Sequence, residues 1–203
     1  MPAARPSRPQ DTIGRGFDFT RHIRALAGDI SSRVPRLQHI NLERVSVAFS
    51  QTRKRVMYGM QASLTPLRFE QGARVGIVRG RRVKVQQLYD ARGVEMLYIL
   101  TFYLPRFLDL EFREKLSTIV HELWHISPQF DGDLRRHEGR CYAHGHSQAA
   151  YDAQVEELLA EYLAGNPPPH LQAFLHFDFN ELQLRHARVF GSRIPRPRLL
   201  SAD

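Results

Sequence analysis

Residues 96–126 read MLYILTFYLPRFLDLEFREKLSTIVHELWHI, and the change of rhythm at Pro105 decides the fold class. Before the proline, Met96–Leu104 is too continuously apolar to alternate between a wet and a dry face, which predicts a strand buried centrally in a sheet. After it, Phe112, Leu116, Ile119, Val120, Leu123 and Trp124 recur at helical spacing and predict an amphipathic helix from about Leu110 to Ile126. Pro128 stops that helix.

The flanks supply the rest of the architecture. Phe19, Ile23, Leu26, Ala27 and Ile30 mark an N-terminal helix capped by Asp18 or Thr20 and ended by Pro35. Val45, Val47 and Phe49 alternate with polar residues, a strand with one buried face, and Val56–Ala62 reads as a second strand. Val75–Val78 and Val83–Val85 flank Arg79-Gly80-Arg81-Arg82, a hairpin with a very basic tip. Downstream, Gln129–Ser147 carries Gly132, Gly139 and Gly145 with little periodicity and reads as a long loop. Gln148–Ala164 is a helix ended by Gly165-Asn166-Pro167, a short helix follows near His170–Phe177, and the tail IPRPRLL is extended. The expected class is α+β: an N-terminal helix, a small mostly antiparallel sheet, and the central helix packed on it, followed by a long loop and a further helix. Residues 1–16 form a basic arm, 17–190 one domain and 191–203 an extended basic tail.

Composition narrows the classes of function. The chain has 203 residues, 42% hydrophobic and 25% charged, which suits one globular domain and excludes wholesale disorder. No apolar run approaches the roughly 18–20 residues of a membrane span, and MPAARPSRPQ lacks the apolar core of a signal peptide. A single cysteine, Cys141, excludes an internal disulfide framework and reads as a buried thiol. These features predict a cytoplasmic protein without a membrane partner. The net charge of +8 is unevenly spread. Residues 41–104 hold eleven Lys and Arg against four acids, whereas 105–165 hold six against eleven. Arg53, Lys54, Arg55, Arg79, Arg81 and Arg82 are therefore candidate nucleic-acid contacts.

The motif that carries chemistry is His121-Glu122-Leu123-Trp124-His125, an H-E-x-x-H pattern on the strongest helix. Residues i and i+4 share a helix face, so both imidazoles can reach one metal ion, with Glu122 beside them as a base for a water on that metal. Two imidazoles and an open water position suit Zn2+ better than Mg2+ or Ca2+. A catalytic zinc needs a third protein ligand. His137, His144 and His146 in the loop are candidates, as are Glu156, Glu157 and Glu161 on the next helix. Tyr142 is a candidate hydrogen-bond donor to an oxyanion.

The stretch YLPRFLDLEFREKLSTIVHELWHI (Tyr103–Ile126), with RVSVAFSQTRKRVMYG (Arg44–Gly59) upstream, resembles the SprT-like zinc metallopeptidases. HELWHISPQFDGDLRRHEGRCYAHG also resembles phage-type metallopeptidases, and the likeness runs over roughly residues 18–165. It implies a zincin-like domain that hydrolyses peptide bonds, His121 and His125 as zinc ligands, and Glu122 as general base. It implies a third ligand at a His preceding Gly, which His144-Gly145 matches, with His146 and His137 as alternatives. It also implies protein substrates associated with DNA, although a single cysteine leaves no zinc ribbon. Two other readings stay open: a nucleic-acid-binding or phage-associated protein with an architectural metal, and a narrow-specificity peptidase that cuts a repressor or antitoxin.

Overall fold

In the computed structural model, which describes residues 16–51, 59–136 and 148–203, a two-residue strand β1 (Phe17–Asp18) runs into helix α1 (Phe19–Arg33). The Asp18 carboxylate accepts the Arg21 N–H at 3.1 Å, so Asp18 rather than Thr20 satisfies the first unpaired donors of the helix. Strands β2 (Val45–Gln51), β3 (Ala62–Pro66), β4 (Val75–Val78), β5 (Arg81–Val85) and β6 (Tyr98–Leu104) follow. Helices α2 (Phe112–Trp124), α3 (Gln148–Ala164), α4 (Pro169–Gln172) and α5 (Phe179–His186) come next, then β7 (Val189–Phe190) and β8 (Leu199–Ser201). The fold is α+β.

The apolar strand β6 lies at the centre of a sheet ordered β2-β6-β3. It pairs parallel to β2, with Val45 opposite Tyr98, and antiparallel to β3, with Ala62 opposite Phe102. Tyr98, Leu100, Phe102 and Leu104 are fully buried in the main core, together with Phe19, Ile23 and Leu26 of α1 and Leu116, Ile119, Val120 and Leu123 of α2. Ile99 points the other way and joins Ala48, Leu67 and Met96 in a smaller cluster. Burial on both faces is why this strand shows no alternation in sequence. A second sheet, β4-β5-β8, is antiparallel, and β1 pairs parallel with β7.

The basic hairpin forms with Arg79 (φ 51°) and Gly80 (φ 75°) as its two-residue turn, both in the left-handed region that a type I′ turn requires. The strand expected at Val56–Ala62 begins only at Ala62; residues 52–58 lie outside the described part, and Gly59 has a φ of 126° that no strand continues through. Pro66 ends β3, where the strand is an edge and a missing N–H leaves no ladder bond unmade. Helix α2 ends at Trp124, two residues short of Ile126. The tail is extended and tied down: the Phe49 N–H donates to Ser192 O at 3.0 Å, the Gln86 N–H donates to Arg198 O at 2.8 Å, and β8 pairs with β5. Among the described residues no helix is long and apolar enough to cross a membrane.

The turn after α2 rests on Gly132, whose φ is 92° and whose N–H donates to the Tyr98 hydroxyl at 3.0 Å. A Cβ there would lie 2.6 Å from Arg68 Cγ and 3.3 Å from Leu97 Cδ2. Gly132→Ala is expected to cost about 1–3 kcal/mol, which lowers the thermal midpoint by several degrees for a chain of this size, measured by scanning calorimetry. An unchanged midpoint contradicts this account of the turn.

Candidate metal centre

The last turn of α2 is held by the chain that follows it. His125 is the C-cap and keeps helical dihedrals (φ −67°, ψ −17°), so its side chain stays in register with that of His121. The carbonyls left over at a helix end need donors, and Arg135 provides two. Its N–H donates to His125 O and its Nε to Trp124 O, both at 2.7 Å, while its guanidinium carbon lies 3.5 Å from the Trp124 ring centroid. A cation here also complements the negative end of the helix dipole. Asp133, nearly fully buried, accepts two bonds from Arg136 at 2.8 and 3.1 Å, and the Tyr98 hydroxyl donates to Asp133 O at 2.8 Å. The turn is thereby anchored to the central strand.

With the helix end fixed, the two imidazoles converge: Nε2 of His121 and Nε2 of His125 are 3.1 Å apart. Two nitrogens at about 2.0–2.1 Å from a tetrahedral zinc stand about 3.3 Å from each other, so the pair is close to the spacing such an ion requires. His125 is buried and His121 half-buried. Tyr151 of α3, 2% exposed, lies against both, with its hydroxyl 3.1 Å from His125 Nδ1 and 3.3 Å from His121 O.

Glu122 is also buried, and desolvation pushes its carboxyl up to about 7, partly offset by the Leu64 N–H of β3, which favours the charged form. That N–H is free to reach Glu122 because β3 is an edge strand. The Tyr103 N–H donates to Gln61 O and the Leu67 N–H to Leu97 O, which fixes the phase of the ladder and turns the backbone groups of Ala62 and Leu64 away from β6. A cleft of about 190 Å³ lined by Gln61, Ala62, Ser117, Thr118, His121 and Glu122 opens between this edge and α2. A larger depression of about 690 Å³, lined by Phe49, Ser50, Gln51, Thr101 and the tail at Arg193–Pro195, lies away from these groups and holds no such convergence of titratable side chains.

The structure separates the residues singled out from sequence. His121, Glu122 and His125 come together. Glu156, Glu157 and Glu161 do not join them: Glu156 accepts from Arg113 at 2.6 Å, and Glu157 and Glu161 pair with Arg36 at 3.3 and 3.7 Å. Among the described residues no further His, Cys, Asp or Glu completes a metal-binding group with the two histidines. His137, His144, His146, Cys141, Tyr142, Arg53, Lys54 and Arg55 lie outside the described residues. Arg79, Arg81 and Arg82 are exposed on the β4–β5 hairpin, in a different sheet from β3. Tyr151 and Arg135 escaped the sequence reading, because their roles depend on contacts across the fold rather than on a motif.

Unfolded, Glu122 ionises near 4.5; folded, near 7. Between those values the unfolded chain binds fewer protons, so the stability associated with the neutral carboxyl is fully present below about pH 4.5 and lost as pH rises through about 7. Metal-free Glu122→Gln is therefore expected to exceed wild type in stability at about pH 8, by up to about 3 kcal/mol, with the gap closing at about pH 4, as read by urea unfolding. A gap independent of pH contradicts the burial of this carboxyl. Compared with protein-family models, curated proteins and solved structures, the chain matches none.

Proposed function

We propose that the chain is a zinc-dependent metallopeptidase that hydrolyses peptide bonds, with DNA-associated proteins among its substrates. The observation that carries this reading is the 3.1 Å approach of the His121 and His125 Nε2 atoms beside a buried Glu122, next to β3, which is an edge strand among the described residues. Zinc bound there supplies a Lewis acid for the scissile carbonyl and activates a water at neutral pH. Glu122, buried beside the two imidazoles, is the group placed to take a proton from such a water and to return it to the departing amine. The outward N–H and C=O of Ala62 and the outward C=O of Leu64 offer an extended peptide a strand to pair with. His144 is the proposed third ligand, with His146 and His137 as the alternatives.

The reading is tested with full-length protein reconstituted with zinc and a quenched-fluorescence peptide library, alongside Glu122→Gln. The expected outcome is chelator-sensitive turnover that falls by about 10²–10⁴-fold in the variant. Turnover that survives intact in Glu122→Gln overturns the assigned role, as does a wild-type enzyme inactive on every protein and peptide offered, DNA-bound ones included.

The exposed Arg79, Arg81 and Arg82 support the DNA part of the proposal. Fluorescence anisotropy with a labelled oligonucleotide is expected to show binding that weakens linearly in log salt, with a slope reduced by about one for each phosphate contact removed in Arg79→Ala, Arg81→Ala and Arg82→Ala. No binding at low salt, where counterion release favours it most, contradicts this part.

A further inference from the structure

We propose that the outward face of the β4-β5-β8 sheet docks double-stranded DNA, with the β4–β5 ribbon lying in the major groove. The inference rests on the DNA part of the proposed function and deepens it, naming the form of nucleic acid and adding Lys84, Arg198 and Ile77 to the contacts.

Side chains alternate along a strand, and residues opposite each other in an antiparallel pair share a face. Val75 pairs with Lys84 and Ile77 with Arg82 across β4 and β5, and Lys84 pairs with Leu200 of β8. The Gln86 N–H donates to Arg198 O at 2.8 Å, which continues the pairing and puts Arg198 on the side of Lys84 and Leu200. These six side chains form one face and all are exposed, Ile77 by 77%. The opposite face is turned inward: a Cβ on Gly76 would lie 2.4 Å from Phe69 Cδ1, and Val85 packs on the cluster of Ala48, Leu67, Met96 and Ile99.

Three cations and three aliphatic side chains on one sheet face suit a polyanion that also presents apolar groups. Arg82 stands 4.0 Å from the exposed Asp203, and Lys84 and Arg198 have no ion-pair partner among the described residues, so the face keeps a positive field. Duplex DNA supplies both complements: phosphates along its backbone, and thymine methyl groups in the major groove that aliphatic side chains contact. That groove, about 12 Å wide, admits a two-stranded ribbon. Strand β8 pairs only with Val83–Val85, so the β4–β5 ribbon is two strands wide toward its Arg79-Gly80 turn. Single strands are held by stacking on aromatic rings, and none of the six side chains is aromatic. Duplex RNA hides its major groove from side chains, and an anionic bilayer favours Trp and Tyr at its interface, which this face also lacks.

The test is a salt series of anisotropy titrations on the full chain, with labelled duplex DNA, single-stranded DNA and duplex RNA of one sequence. Duplex DNA is expected to bind tightest. Lys84→Ala and Arg198→Ala are each expected to lower the slope of log affinity against log salt by about one. Ile77→Ser is expected to weaken duplex binding severalfold with the slope unchanged, because it removes an apolar contact and no charge. Arg92 is exposed but already paired with Glu43 and Asp90, so Arg92→Ala is expected to leave slope and affinity as they are. The proposal is overturned by a slope unchanged in both Lys84→Ala and Arg198→Ala, by an equal loss in Arg92→Ala, or by unaltered affinity in Ile77→Ser. Tighter binding to single-stranded DNA or duplex RNA, or binding to phosphatidylserine vesicles without binding to duplex DNA, overturns it too. Wild type that binds no nucleic acid at low salt removes the DNA part of the proposed function with it, whereas duplex binding that ignores these substitutions removes only this face. No readout uses zinc or turnover, so the peptidase reading stands or falls separately.

Discussion

The approach of two imidazoles to within 3.1 Å at the end of α2 is the constraint around which the neighbouring structure is arranged. Helix geometry brings residues four apart onto one face, but it does not hold a helix end, where the terminal carbonyls lack partners and the last turn frays. Here the end is closed by Arg135, by the Asp133 and Gly132 turn on Tyr98, and by the Tyr151 hydroxyl on His121 O. The second of these supports rests on Tyr98 at the start of β6 through two hydrogen bonds, so the most buried strand of the sheet helps to set the position of the last turn of α2.

The same placement accounts for the electrostatics. A carboxyl buried beside two imidazoles loses hydration, and Glu122 responds by holding its proton to about pH 7 rather than 4.5. The Leu64 N–H offsets part of that cost, and it is available only because β3 is at the edge of its sheet. A central strand would spend that donor on a neighbour. The edge, the buried acid and the imidazole pair therefore form one unit, which explains why a cleft of modest size beside them has more chemical content than the larger depression beneath the tail.

Much of this was legible in the sequence because the signals were local. The apolar run before Pro105 located the central strand, the period of Phe112–Trp124 located α2, and Gln148–Ala164 named α3 to the residue. Turn chemistry located the hairpin, since Gly80 follows a residue that must also adopt positive φ. The failures have a common physical origin. The start and register of β3 are set by pairing with β6, which does not show as periodicity in the residues leading up to Ala62. Glu156, Glu157 and Glu161, which the sequence offered only as alternatives to a loop histidine, are paired with Arg113 and Arg36, partners remote in sequence. Tyr151 lay in plain view on α3, and nothing within 20 residues of it announces the two histidines it touches. Helix α5 was missed as well: its eight residues bury only Phe179 and Leu182, too little apolar stripe to read as periodic.

His121 and His125 are proposed to hold one metal ion. Elemental mass spectrometry of wild type, Glu122→Gln and His125→Ala, each supplied with zinc and then desalted, tests it most directly. The account predicts one zinc per chain in wild type and in Glu122→Gln, and loss of that zinc in His125→Ala. Wild type that retains no zinc, or His125→Ala that keeps a full equivalent, would contradict it.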